Sequence, residues 1–177
     1  GKKVIFVNFS GSPIAMEPET KYCQAILQAW YPGQSGGKAA AEVLFGDYNP
    51  AGRLPVTFYR NITQLPDFED YNMTGRTYRY FKGDPLFPFG YGLSYTTFNY
   101  GNIKLEQTIK VGETAKIIVP VTNTGNRDGE EVVQVYLKKQ EDAEGPVKTL
   151  RAFKRVQIPA GKTVNVELEL TPKQLEW

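Results

Sequence analysis

The chain has 177 residues, which suffices for one domain or two small ones, and its 41% hydrophobic and 13% aromatic residues can build a folded core. Its 21 basic and 19 acidic side chains are interspersed and no apolar run nears the ~20 residues that cross a bilayer, so neither nucleic acid nor a membrane is predicted as a partner. With no histidine and one cysteine, Cys23, it cannot form a histidine-dependent triad, a histidine-ligated zinc site or an internal disulfide.

The first thirty residues predict a strand followed by an ambiguous stretch. Residues 4–7, VIFV, form a short apolar run, which is typical of a strand covered on both faces in an α/β sheet. Further on, Tyr22, Ile26, Leu27 and Trp30 fit one face of a helix. The residues alone therefore leave helix and strand open at this point.

A helix and another strand are predicted next. Ser35 is expected to cap a helix whose alanines, valine and leucine recur at helical spacing, and Gly46 is expected to end it in the left-handed conformation. Residues 47–52 are dense in turn formers, and residues 54–58 then predict a strand.

Between residues 64 and 95 glycine and proline become frequent, and periodicity is lost. A free linker would not carry so many aromatic side chains, because they are costly to leave in water. We therefore predict ordered irregular structure that packs along neighbouring domains. The aromatic residues concerned are Tyr78, Tyr80, Phe81, Phe87, Phe89, Tyr91 and Tyr95.

From about residue 98 onward, apolar and polar residues alternate as in half-buried strands. Turn sequences lie at residues 123–126 and 159–162. Antiparallel strands at this spacing predict an immunoglobulin-like sandwich. The alternating residues are Ile117, Val119 and Val121, then Val133, Val135 and Leu137, then Val164, Val166, Leu168 and Leu170.

Three blocks of sequence carry a family resemblance. The first is residues 29–58, AWYPGQSGGKAAAEVLFGDYNPAGRLPVTF. The second combines residues 75–81, GRTYRYF, with residues 87–98, FPFGYGLSYTTF, and the third is LRAFKRV at residues 150–156 with its following turn. In this order they resemble the C-terminal part of glycoside hydrolase family 3, the β-glucosidases and β-xylosidases, over essentially the whole chain.

The resemblance implies an α/β plus all-β fold in three parts. Residues 1–63 would be the end of an α/β sandwich domain, residues 64–97 an aromatic connecting segment, and residues 98–177 a fibronectin type III-like domain truncated at its C-terminus. It also favours a strand at residues 25–30, with a helix only at residues 19–24. A missing edge strand would expose backbone groups, and the aromatic segment between Tyr71 and Tyr95 would expose surface that the rest of the enzyme covers. The isolated chain is therefore expected to have low solubility or to self-associate.

The implied parent protein is a retaining glycosidase that hydrolyses terminal non-reducing β-linked sugars. The sequence GRTYR at residues 75–79 resembles β-xylosidase members more than β-glucosidases, so we expect the sugar removed to be xylose, with glucose next. Such enzymes need a nucleophilic and an acid/base carboxylate. The family resemblance places both outside this chain, the nucleophile in an N-terminal barrel on which the chain would pack. It therefore implies no catalytic, cofactor or metal residue here, an inactive isolated chain, and a secreted parent, extracellular or periplasmic, that degrades polysaccharides.

A glycine-rich motif and two N-glycosylation patterns have simpler interpretations than a binding or modification site. Residues 33–38, GQSGGK, resemble a phosphate-binding loop, but Pro32 and Ala39 replace residues that this motif requires. Gly36 and Gly37 are better explained by close approach of helix and loop. The N-glycosylation patterns at residues 61–63 and 72–74 are common by chance and carry no conclusion.

Two acidic clusters are interpreted as surface charge with ordinary pKa values rather than as general acids, bases or calcium ligands. They are Asp67 with Glu69 and Asp70, and Glu130 with Glu131.

The alternation of cations and aromatics at Arg76, Tyr78, Arg79 and Tyr80 has two explanations, a sugar site or, as we favour, anchoring of the segment. An alternative function for the chain is a non-catalytic carbohydrate-binding or scaffolding module. On the sandwich, only Tyr136 suggests an exposed aromatic surface for sugar.

Overall fold

The computed structural model describes residues 1–105 and 108–176, and the chain divides into two units. The first unit comprises Gly1–Tyr48 and Leu54–Tyr91, and the second comprises Asn49–Arg53 with the chain from Gly92 onward. The predicted sandwich domain ended at Trp177, which lies outside the described residues. The division of the chain into parts after residues 63 and 97 stays a prediction. Within the described ranges no helix is long and apolar enough to cross a membrane.

The first unit opens with two parallel strands and an intervening helix. Strand β1, Ile5–Asn8, pairs in parallel with β2, Ala25–Gln28, and helix α1, Glu17–Tyr22, lies between them in the chain. Helix α1 ends because Cys23 adopts an extended backbone, with φ −96° and ψ 143°. The strand implied by the family resemblance is thus present, and the alternative of a continuous helical face is wrong.

Helix α2, Gly36–Phe45, ends as predicted at Gly46, whose φ is +83°. Ser35 holds the N-cap position, but its side chain makes no capping hydrogen bond, so that detail of the prediction is wrong. Its ψ of 11° lies outside the extended geometry from which a capping oxygen reaches the first turn. Close approach explains Gly36, because a Cβ there would lie 2.3 Å from Pro32, whereas at Gly37 nothing lies within 4 Å.

The predicted strand at residues 54–58 does not form. The segment pairs only at its ends: Leu54 exchanges backbone hydrogen bonds with Tyr91 and Gly90, and Phe58 does so with Phe87. Pro55 lies between these pairs and has no N–H to extend a ladder. The segment is therefore held in place without forming a regular strand.

Residues 64–95 are largely irregular, as predicted, after a 3-10 helix at Ile62–Gln64, and they include a short helix α3 at Thr77–Tyr80. Phe58 is 1% exposed and forms edge-to-face contacts with Trp30 and Phe87 at centroid distances of 6.1 and 6.3 Å. Such contacts add about 0.5–1.5 kcal/mol each beyond area burial, and so replace the missing ladder as the source of order.

The second unit contains antiparallel strands. They are β3 at Phe98–Tyr100, β4 at Lys104–Leu105, β5 at Ala115–Asn123, β6 at Gly129–Leu137, β7 at Thr149–Ile158 and β8 at Thr163–Leu170. Strands β3 and β4 each pair with β5, which also pairs with β8, and β6 pairs with β7. A short helix α4, Pro172–Leu175, follows β8.

The core of this unit follows the predicted alternation. Every second residue of β5 is buried, and so are Val166, Leu168 and Leu170 of β8, because successive side chains of a strand point to opposite faces. Burying each aliphatic side chain contributes roughly 1.5–3 kcal/mol. The central cluster consists of Val119, Val121, Val133, Ile158, Val166 and Leu168.

Asn123 joins the two predicted turns of the sandwich. It is fully buried, and its amide nitrogen donates to the carbonyls of Arg127 and Ile158 at 2.8 and 2.9 Å. Its side-chain oxygen accepts from the Thr96 hydroxyl at 2.6 Å and from the Gly125 N–H at 3.1 Å. A single side chain thereby satisfies four polar groups inside the core.

Candidate functional site

The acidic cluster at residues 67–70 shapes a loop. The Asp67 carboxylate accepts from the Glu69 N–H at 3.0 Å, and the Asp70 carboxylate accepts from the backbone and side chain of Asn72. The backbone hydrogen bond from Asn72, followed by its side-chain bond, lowers the pKa of Asp70 below the ordinary value. A general acid at neutral pH needs a raised pKa, so Asp70 is unsuited to that role.

Glu131 corrects the interpretation of the second acidic cluster as surface charge. It is 8% exposed, forms an ion pair with Arg53 through one carboxylate oxygen, and accepts from the Tyr100 hydroxyl at 2.8 Å through the other. Glu131 is buried because side chains alternate along β6, and it shares the inward face with Gly129 and Val133. That alternation was visible in the sequence. Glu130 points the other way and forms an ion pair with Arg155.

The cluster of Arg53, Glu131 and Tyr100 is internally satisfied. The Arg53 and Glu131 side chains are only 10% and 11% exposed, and Arg53 also donates to the carbonyls of Ala51 and Gly52. Burial, then the hydrogen bond to Glu131, raises the pKa of Tyr100 above its ordinary value. Because both oxygens of Glu131 are engaged, the cluster offers no open position to a substrate.

The same cluster fixes the short segment Asn49–Arg53 within the second unit. At its other end, the Asn49 amide donates to the Asp128 carbonyl at 2.9 Å and accepts from the Tyr95 N–H at 2.7 Å. The five residues 49–53 are therefore held at both ends by side-chain contacts. Nothing in local sequence pattern predicts this.

The residues considered for a sugar site act mainly as anchors. The Arg76 guanidinium donates to the carbonyls of Asn72 and Asp67 at 3.1 and 2.8 Å, and also to that of Asp70. Tyr78 stacks on Phe89 at a centroid distance of 4.1 Å. Both contacts lie within the segment itself, so its predicted anchoring to a barrel or sandwich by ion pairs and cation–π contacts stays a prediction.

Arg79 differs from its neighbours. Its guanidinium lies 5.5 Å from the Tyr80 ring centroid, in cation–π range. Its Nε is buried without a hydrogen-bond partner among the described residues.

Arg76 closes a loop at residues 66–76 whose apolar side chains remain exposed. Phe68 is 92% exposed, Tyr71 is 91% exposed and Met73 is 49% exposed. A turn hydrogen bond joins the Asp70 N–H to the Asp67 carbonyl at 3.0 Å. Arg76 therefore fixes the backbone of a loop that carries exposed aromatic side chains.

The glycine-rich residues 33–38 give no support to a phosphate site. The Gly36 N–H, a donor that a phosphate would need, bonds to the Gly33 carbonyl at 3.0 Å. Lys38 forms an i,i+4 ion pair with Glu42 at 3.6 Å. Groups that would receive a phosphate are thus already used within the helix start.

A cation covers one face of the Tyr136 ring. The Lys148 ammonium lies 4.5 Å from the centroid of this ring, and the Tyr136 hydroxyl donates to the side-chain oxygen of Gln134. Phe153, on the neighbouring strand β7, is instead 69% exposed, a feature that the sequence analysis missed.

The comparisons with known proteins assign the family. Residues 1–95 match the glycosyl hydrolase family 3 C-terminal domain, and residues 131–177 match a fibronectin type III-like domain. The chain therefore belongs to glycoside hydrolase family 3 and corresponds to a C-terminal part of these enzymes. The resemblance and the fold class inferred from the sequence are both confirmed.

Relatives match over nearly the whole chain. A xylan 1,4-beta-xylosidase of Xylanibacter ruminicola is 59% identical over 100% of this chain, and a periplasmic beta-glucosidase of Salmonella typhimurium is 40% identical over 96%. The chain spans 20% and 24% of their respective lengths. The structure of beta-glucosidase 3B from Thermotoga neapolitana in complex with glucose superposes with a TM-score of 0.86 at 34% identity, covering 98% of this chain and 26% of that one.

Proposed function

We propose that this chain is the non-catalytic C-terminal part of a retaining β-glycosidase that removes terminal β-linked xylose from oligosaccharides, with glucose as the next substrate. The observation that carries the proposal is 59% identity to a xylan 1,4-beta-xylosidase along the entire chain. The similarity to β-glucosidases is lower, at 40% for the Salmonella protein, which favours xylose.

The catalytic carboxylates are proposed to lie outside this chain. Retaining hydrolysis needs one carboxylate as nucleophile and a second, of raised pKa, as acid. Asp70 has a lowered pKa, and Glu131 is bound on both oxygens. Neither supports a catalytic role, so the isolated chain is expected to give no turnover.

The proposed role of the chain is architectural. Its parts at residues 1–63, 64–97 and 98–177 would complete an α/β sandwich domain, pack along an N-terminal barrel and add the fibronectin type III-like domain. Exposed aromatics of the first unit, such as Phe45 and Tyr22, supply surface for such packing and for self-association of the isolated chain. A periplasmic relative supports an extracellular or periplasmic, secreted parent that degrades polysaccharides.

The test uses the parent enzyme and the isolated chain side by side. The parent is assayed on the nitrophenyl derivatives of β-xyloside, β-glucoside and α-arabinofuranoside. We expect the highest kcat/KM on the xyloside, and none on any substrate for the isolated chain. No turnover by the parent refutes the proposed function. Hydrolysis by the isolated chain, abolished by one Asp or Glu substitution within it, refutes the non-catalytic role.

A further inference from the structure

Five residues of the first family block have no role in the function proposed above. Residues 49–53, NPAGR, lie within residues 1–95, which match the family 3 C-terminal domain. The structure nevertheless groups them with the second unit, whereas residues up to 48 and from 54 to 91 belong to the first. The unit that holds this segment is therefore the sandwich rather than the domain that its sequence matches.

Both ends of the segment meet complementary groups of the second unit. At one end the Asn49 amide donates to the Asp128 carbonyl at 2.9 Å and accepts from the Tyr95 N–H at 2.7 Å. At the other end the Arg53 guanidinium pairs with the Glu131 carboxylate, and these side chains are only 10% and 11% exposed. Ionic hydrogen bonds shielded from water are among the strongest in proteins. The surface thus offers an acceptor and a donor to an amide at one end, and a buried anion to a cation at the other.

The second unit is also shaped to admit the segment. A Cβ at Gly92 would lie 2.3 Å from the Gly52 carbonyl oxygen and 3.0 Å from the Arg53 Cδ. The φ of Gly92 is not positive, so close approach rather than backbone conformation explains this glycine. In the middle of the segment Ala51 is 1% exposed. The surface therefore matches residues 49–53 in shape as well as in charge.

We propose that the second unit contains a binding cleft for a short peptide of the sequence NPAGR, and that residues 49–53 of the same chain are its occupant. The cleft is built from β3, the start of β6 and the residues that precede each of them. The fibronectin type III-like domain is accordingly not a self-sufficient module, because removing the segment removes the cation that Glu131 pairs with inside the fold. This inference does not depend on the activity of the parent enzyme.

The first experiment tests the shape of the cleft in the parent enzyme, by hydrogen exchange of the β6 amides. Gly92→Ala places a methyl group 2.3 Å from the Gly52 carbonyl oxygen, so the segment must shift, and exchange is expected to accelerate about tenfold. The matched control is Gly52→Ala, on the other side of the same contact. Nothing lies within 4 Å of the new Cβ there, and exchange is expected to change less than about twofold.

The second experiment tests the occupant. Asn49→Ala combined with Arg53→Ala removes both end contacts, and exchange of the β6 amides is expected to accelerate at least about a hundredfold. A synthetic peptide of residues 47–55, DYNPAGRLP, supplies both end groups in trans. At millimolar concentration it is expected to slow exchange in the double variant about tenfold. The control is the same peptide carrying Arg53→Ala, which is expected to slow exchange less than about twofold.

A milder variant keeps the second experiment decisive if the double variant loses protection in every strand. Asn49→Ala alone leaves the ion pair of Arg53 in place, and its β6 amides are expected to exchange about tenfold faster than those of the unaltered parent. The same two peptides are then compared on this variant.

Three results overturn the proposal. If exchange in Gly92→Ala equals that in Gly52→Ala, the shape of the second unit does not depend on the segment. If the double variant keeps the protection of the unaltered parent, residues 49–53 are only a connection along the chain. If the two peptides have equal effects, NPAGR is not what the cleft recognises.

Discussion

Removing Arg53 is the sharpest test of how the second unit is held together. In Arg53→Ala the Glu131 carboxylate stays inside β6 with the Tyr100 hydroxyl as its remaining partner. Breaking a buried ion pair costs about 3–5 kcal/mol, because it leaves an uncompensated charge. Since the two side chains keep 10% and 11% exposure, water relieves part of this penalty, and we expect about 3 kcal/mol.

A double-mutant cycle separates the pair from its surroundings. The cycle consists of Arg53→Met, Glu131→Leu and the double variant. The double variant removes both charges together, so it is expected to cost about 1 kcal/mol or less, well below the sum of the two single substitutions. The control is Arg155→Ala, which breaks the neighbouring pair with Glu130. Those side chains are 50% and 30% exposed, and the expected loss is about 0.5 kcal/mol.

Hydrogen exchange of the β5 and β6 amides is the appropriate assay, because it reports the stability of this unit rather than of the whole chain. A loss of about 3 kcal/mol accelerates exchange through opening of the unit about a hundredfold. If Arg53→Ala lowers the stability of the unit no more than Arg155→Ala does, the ion pair is not energetically buried. If the stability losses in the double-mutant cycle simply add, the two charges are not coupled. Either result refutes the account.

Three further outcomes follow from the same structure. Asn123→Ala should destabilise the sandwich by about 2–4 kcal/mol in urea unfolding, since several buried groups lose their partner. Gly46→Ala, at φ +83°, should cost about 1–2 kcal/mol in the same assay, and Gly37→Ala, with nothing near its Cβ, should not destabilise. Because the folded-state pKa of Tyr100 is raised above its ordinary 10.0, its contribution is present below pH 10 and is lost as pH rises further. Tyr100→Phe should reduce this alkaline loss, measured as urea midpoints across that pH range.

Local sequence pattern alone predicted the secondary structure where the pattern of residue types decides it. The alternation of isoleucine and valine in β5, and of valine and leucine in β8, specified strands, because a period of two buries one face. Gly46 specified the end of α2, because its left-handed backbone suits glycine. The family motifs added the strand β2, which periodicity alone left ambiguous, and the assignment to family 3.

Tertiary structure decided what depends on partners distant in the chain. Glu131 looked like a surface carboxylate until β6 placed it beside Arg53, 78 residues away. Residues 54–58 read as a strand, yet the aromatic segment meets only their two ends. The Arg76 guanidinium donates to the carbonyls of Asp67 and Asp70 and so holds a loop whose conformation local pattern does not predict. Composition and local pattern state which side chains favour burial, but only the packed chain determines which of them find a partner.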